Sequence, residues 1–152
     1  MKRIVTLVTG GFDPIHSGHI AYFKKARELT NYLVVGLNTN EWLKDKKGQY
    51  FQDWKERAEI IRHLEMVDAV ITVPYDEKGS ACGAIESCLE IAQTIVFANG
   101  GDRGKDNTPE VDMYGDNSRV EFEYGIGGSD KLNSSSWLLH DYFNRQRKIL
   151  GI

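Results

Sequence analysis

Short apolar runs alternate along the chain with longer stretches of mixed polarity. Ile4-Val5-Thr6-Leu7-Val8, Tyr32-Leu33-Val34-Val35-Gly36-Leu37-Asn38, Asp68-Ala69-Val70-Ile71-Thr72-Val73 and Thr94-Ile95-Val96-Phe97-Ala98 have the length and continuous apolar character of strands buried on both faces. The first strand is set at Ile4 to Thr9, and Pro74 ends the third. Arg119 to Tyr124 alternates polar and apolar positions and predicts a fifth strand nearer a sheet edge. Helices are expected from Ser17 to Leu29, from Trp54 to Leu64, from Ala81 to Ala92 and from Trp137 onward. Asp53, with Glu56 three residues on, has the pattern of a capping box, and Ala58, Ile61 and Leu64 mark a buried stripe. Glu41 to Phe51 lacks clean periodicity and reads as a polar loop carrying Lys44, Lys46 and Lys47. Pro109 suits the first position of a short helix after Asn107-Thr108. The alternation predicts an α/β fold: a single Rossmann-like open parallel sheet of about five strands, with helices on both faces and right-handed crossovers. The 152 residues fit one domain, 1–152.

Charge and composition narrow the field. A formal net charge of −3 makes no broad electrostatic case for nucleic acid. There is no long apolar run for a membrane span, and Met1-Lys2-Arg3 leads straight into a strand pattern rather than a signal peptide. Cys82 and Cys88, six apart in one expected helix, fit neither a CxxC site nor a zinc-site spacing; they read as thiols in a reducing cytoplasm. No metal site is expected among them.

The candidate chemistry gathers where strands are followed by glycines. Gly10-Gly11-Phe12-Asp13-Pro14-Ile15-His16-Ser17-Gly18-His19 joins the first strand to the first helix. A helix start offers unpaired N–H groups and the positive end of the peptide dipole, which favour an anion. Two imidazoles three residues apart share that first turn and can donate to phosphoryl oxygens, and protonation would add positive charge. A second glycine turn, Asn99-Gly100-Gly101-Asp102-Arg103, follows the fourth strand and is well placed for a nucleotide base or sugar. A third glycine-rich stretch runs from Gly125 into Asn133-Ser134-Ser135-Ser136, where hydroxyls open the last helix and make a second anion site. Tip residues Asn38-Thr39-Asn40 belong at the carboxyl end of the second strand. His63, late in its helix, is not taken as catalytic.

His16-Ser17-Gly18-His19, preceded by Gly11-Phe12-Asp13, resembles the HxGH signature of the nucleotidyltransferase superfamily that contains the cytidylyltransferases. The likeness extends over nearly the whole chain, and the glycerol-3-phosphate cytidylyltransferases are similar in size. The heptose-phosphate adenylyltransferases share the turn seen here as Gly100-Gly101-Asp102. The resemblance implies transfer of CMP from CTP to the phosphate of a small phosphorylated metabolite, of polyol or sugar phosphate type, with pyrophosphate released. ATP as donor, or a nucleotide-binding regulator without catalysis, are the alternatives. It implies catalytic roles for His16, His19 and Lys46. It implies nucleotide contacts from Gly11, Phe12, Asp13, Gly18, Gly101, Asp102, Arg103, Lys131, Asn133, Ser134, Ser135 and Ser136. Lys44, Lys46 and Lys47 would hold the acceptor phosphate. Mg2+ would accompany the triphosphate, and a homodimer through the sheet edge and the Arg57 helix is expected. Lys131 stands near the place where relatives commonly carry arginine, and Asn40 where many carry aspartate.

Overall fold

The computed structural model describes residues 3–101, 103–128 and 134–152. Five parallel strands form one sheet: β1 (Ile4–Gly10), β2 (Leu33–Asn38), β3 (Ala69–Val73), β4 (Thr94–Ala98) and β5 (Val120–Glu123), in the order β3-β2-β1-β4-β5. The α-helices are α1 (Ser17–Arg27), α2 (Asn40–Lys47), α3 (Trp54–Arg62), α4 (Cys82–Ile91), α5 (Val111–Tyr114) and α6 (Ser135–Leu150), with a 3-10 turn over Lys105–Asn107.

The apolar runs form strands because both faces of the sheet are covered, and the period of two divides their side chains between two cores. Val5, Leu7, Val34, Ile95 and Phe97 pack with Ala84, Ile85 and Cys88 of α4. Val8, Leu33, Val35, Leu37 and Ala98 pack on the other face with Phe23 and Ala26 of α1 and with Ala58 and Ile61 of α3. Gly36 in β2 permits this close fit, since a Cβ there would lie 2.9 Å from both Thr9 and Val73. The expected fold class therefore stands. Cys82 and Cys88 are free thiols, and burial pushes the Cys88 thiol up to about 12. Among the described residues no helix is long and apolar enough to cross a membrane.

Two local expectations are corrected. The lysine-bearing stretch is not a loop but helix α2. Thr39 Oγ1 accepts from the Trp42 N–H at 3.1 Å, Trp42 and Leu43 are buried, and Gly48 ends the helix in the left-handed region at φ 85°. Its three lysines fall in the last turn, where the helix dipole favours cations. Pro109 precedes rather than opens the short helix, since α5 begins at Val111 with Glu110 as its cap.

The topology fixes where a ligand belongs. From β1, the chain turns one way to β2 and β3 and the other way to β4 and β5. Such a reversal leaves a crevice beyond the carboxyl ends of the two strands that flank it, here β1 and β4. The Gly10–His19 turn leaves β1 at that end, and the Asn99–Arg103 turn leaves β4.

Candidate active site

The first turn of α1 is capped by its own histidines. His16 is the N-cap residue: its Nδ1 accepts from the Gly18 N–H at 3.0 Å, and His19 Nδ1 accepts in return from the His16 N–H at 3.2 Å. The rings stack at 3.7 Å between centroids and 24° between planes. An accepting ring nitrogen carries no proton, so each neutral ring bears its proton on Nε2. Burial, then the neighbouring His16 and Lys47, hold the His19 pKa down to about 3. Against the expectation that protonation would add charge, the His19 ring is held neutral.

Phe12 buttresses this pair. Its backbone is left-handed at φ 47°, a conformation that costs an L residue about 1–2 kcal/mol. Packing offsets the cost: the ring meets His19 and Phe23 edge-on at 4.9 Å each and covers Gly10, where a Cβ would lie 2.9 Å from it. The Phe12 ring is buried in the protein, which leaves its backbone as the part open to the nucleotide contact expected of it. Gly11 is required next to it, since a Cβ there would sit 2.7 Å from Leu43.

Arg57 holds the turn from beneath. Its guanidinium is almost fully buried and donates from Nη1 to the carbonyls of Gly11 (2.8 Å) and Asn38 (2.9 Å). Nη2 donates to Asn40 Oδ1 (2.8 Å) and Nε to the Gln52 carbonyl (2.9 Å). One side chain therefore ties the ends of β1 and β2 to the start of α3. Burial lowers its pKa, and the carboxylates of Asp13 and Asp53 oppose that shift. Asn40 passes the contact on by donating to Asp53 Oδ1 at 2.7 Å. The hydrogen bond from Asn40, then the Lys55 N–H, lowers the pKa of Asp53. The Asp13 carboxylate accepts from the backbone N–H groups of Phe51 (2.6 Å) and Gln52 (2.7 Å). Asp13, expected as a nucleotide contact, thus secures the segment after α2. The expected part of Arg57's helix in a dimer gains nothing from Arg57 itself, which points inward.

The three lysines of α2 diverge. Residues three apart share a helix face, so Lys44 and Lys47 point one way and Lys46 another. Lys44 Nζ lies 5.4 Å from the centre of the Tyr50 ring, and Lys47 faces His19 and lines a cleft with Asp13 and Ser136. Lys46 reaches instead to the turn after β3, where its Nζ would lie 2.8 Å from a Cβ on Gly79. Lys46, the lysine expected to be catalytic, thus lies toward Gly79, and Lys47 is the lysine on the His19 side.

The last helix start meets the first. Ser134 caps α6 toward the Trp137 N–H, and Ser135 Oγ donates to the Pro14 carbonyl at 2.7 Å, bridging residues 121 apart in sequence. This holds the head of α6 against the turn that carries the histidines. Beyond β4, Arg103 donates to the buried Glu110 carboxylate at 3.4 Å, and Glu110 also accepts from the Ala81 N–H at 2.8 Å. Gly101 is exposed in its turn. Asp102, Lys131 and Asn133 lie outside the described residues.

A family model described as cytidylyltransferase-like matches residues 7–120. The chain belongs to the cytidylyltransferase-like family of nucleotidyltransferases. Glycerol-3-phosphate cytidylyltransferase of Staphylococcus aureus is 35% identical over 102 residues, covering 67% of this chain and 71% of that protein. Bifunctional protein HldE of Pelobacter propionicus is 32% identical over 150 residues, covering 93% of this chain. This cytidylyltransferase-like chain spans only 28% of that relative's length. FAD synthase of Thermococcus sibiricus is 40% identical over 72 residues, 46% of this chain and 49% of that one. Among solved structures, the lipopolysaccharide core biosynthesis protein of Thermoplasma volcanium superposes with a TM-score of 0.62. It is 22% identical and covers 80% of this chain and 94% of that one, a likeness of fold.

Proposed function

We propose that the chain transfers CMP from CTP to the phosphate of a small phosphorylated metabolite and releases pyrophosphate. The hydrogen bond from Ser135 to Pro14 supports this most, because it joins two helix starts, one bearing imidazoles and one hydroxyls, around one crevice. An oxygen of the acceptor phosphate attacks the α-phosphorus of the triphosphate. The new P–O bond forms as the bond to the α–β bridging oxygen breaks, and pyrophosphate leaves with that electron pair. The nucleophile is already an anion, so the protein's task is placement and charge stabilisation. His16 and His19 donate to the transferred phosphoryl group. Lys47 holds the acceptor phosphate, and the serine-bearing start of α6 receives the leaving pyrophosphate. Arg103 and the Gly101 turn flank the nucleoside.

Mg2+ would be held mainly by the triphosphate itself, as it is commonly bound through substrate phosphates with few protein ligands, and would neutralise phosphate charge. Among the described residues no group of three or more His, Cys, Asp or Glu side chains could hold a metal ion by itself, and no step above depends on one. ATP as donor is the second reading, favoured by the Gly100-Gly101-Asp102 turn that resembles the heptose-phosphate adenylyltransferases. Pyrophosphate release with CTP and with ATP, each against a panel of phosphorylated acceptors, tests both. His16→Ala and His19→Ala should each lower turnover about 100-fold or more, the scale of losing one transition-state donor. Near-normal turnover in either purified variant would remove that histidine from the mechanism.

A further inference from the structure

A cleft of about 500 Å3 opens from the site. It shares Lys47 and Ser136 with the residues proposed to handle phosphate, and its other walls set aromatic rings beside Gln49, His140 and Gln146. Tyr50 and Phe51 stand on one side; Leu139, Tyr142 and Phe143 of α6 stand on the other. Phe51, Tyr142 and Phe143 are 58%, 53% and 58% exposed, so their rings offer surface for a ligand to cover.

Two consecutive residues of the phosphate turn hold both walls. The Asp13 carboxylate fixes the Phe51 and Gln52 amides, and the Pro14 carbonyl fixes Ser135 at the head of α6. Whatever orients the turn therefore also sets the spacing of the aromatic walls. Lys44 over the Tyr50 ring and the Arg147 guanidinium 5.9 Å from the centre of the Phe143 ring steady the two sides further.

We infer that this cleft is the acceptor subsite, and that it selects a phosphomonoester whose body is a ring with a flat apolar face over an acyclic polyol phosphate. The inference rests on the nucleotidyl-transfer reading above and narrows its substrate class. Gln49, His140 and Gln146 can pair with some hydroxyls of an acyclic polyol, but the others would press against ring faces and Leu139, where burying them costs free energy. A ring stacked between the walls gains the contact instead. The volume lies within the range of small-molecule sites and is ample for a ring attached to a phosphate. Lys47, at the junction with the histidines, would anchor that phosphate.

The test compares glycerol 3-phosphate, glucose 1-phosphate and flavin mononucleotide as acceptors, with CTP and with ATP. Pyrophosphate release is measured beside calorimetric binding of each acceptor to the intact protein. The inference predicts that at least one ring-bearing acceptor exceeds glycerol 3-phosphate by about 10-fold or more in kcat/KM. Phe143→Ala should raise KM for that acceptor by about 10-fold, with a smaller change for glycerol 3-phosphate. Phe51→Ala, on the opposite wall, should do the same, and the exposure of both rings keeps either variant folded. Glycerol 3-phosphate used as well as or better than both ring acceptors would overturn the subsite and leave nucleotidyl transfer standing. A ring acceptor that binds through Phe143 without pyrophosphate release from either triphosphate would keep the subsite and sink the transfer reading. Failure of both ring acceptors to bind or react would overturn the inference.

Discussion

The two helix starts that meet at the crevice are built in opposite ways. The start of α1 is fixed from every side: its histidines cap each other's turn, Phe12 braces His19, and buried Arg57 pins the Gly11 carbonyl. The start of α6 is joined to that turn by the Ser135–Pro14 hydrogen bond, and of the described residues of α6 Ser135 alone is buried. Helices draw most of their stability from tertiary packing, so α6 is the more adaptable partner. The pairing suits a transfer enzyme. Transition-state donors gain most from preorganisation, whereas a wall that meets varied acceptors gains from latitude.

The rigid half can be broken at Arg57. Arg57→Leu removes the donors from three backbone carbonyls, those of Gly11, Asn38 and Gln52, and leaves Asn40 Oδ1 only the Trp54 N–H. Unfolding free energy should drop by about 3–5 kcal/mol in urea titrations. Arg57→Lys keeps the charge but not the planar fork and should recover only part of the loss. A wild-type midpoint for Arg57→Leu would mean that the turn is held by something else.

Lys47 separates the two sides of α2. Lys47→Ala should cut kcat/KM for the acceptor by about 10- to 100-fold, the scale of losing a hydrogen bond to a charged group. Lys46→Ala, on the other face, should change it by less than about threefold. The reverse order in the same steady-state assay would return the role to Lys46.

His19 gives the most specific effect, one that appears only on acidification. Its folded pKa, about 3, lies below the ordinary 6.5, so between those values the unfolded chain binds the extra proton. Stability from this group is complete above about pH 6.5 and falls on acidification by ~1.4 kcal/mol per pH unit down to about pH 3. Urea unfolding between pH 4 and 7 should show a shallower slope for His19→Asn than for the wild type. Parallel slopes would mean that His19 titrates normally in the fold.

The strands and the first helix start were readable because long apolar runs and glycine turns act locally. Helix α2 was not: its buried pair, Trp42 and Leu43, is too short to show a period, and three lysines suggest solvent. What placed Lys47 rather than Lys46 beside the histidines was the helical turn itself, which a loop reading cannot supply. Arg57 sits on the same stripe as Trp54 and Ile61, at helical spacing, and an arginine on an apolar stripe was the available signal. The Ser135–Pro14 contact and the aromatic cleft join segments more than eighty residues apart, and no local pattern encodes such a meeting.

The claim that both helix starts serve one polyphosphate is tested most directly by an amide-resolved nuclear magnetic resonance titration of the protein with CTP. The account predicts that the backbone amides of Ser17 to His19 and of Ser135 to Trp137 shift together and fit one dissociation constant. Shifts confined to the first group, with the start of α6 unmoved at saturation, would contradict it.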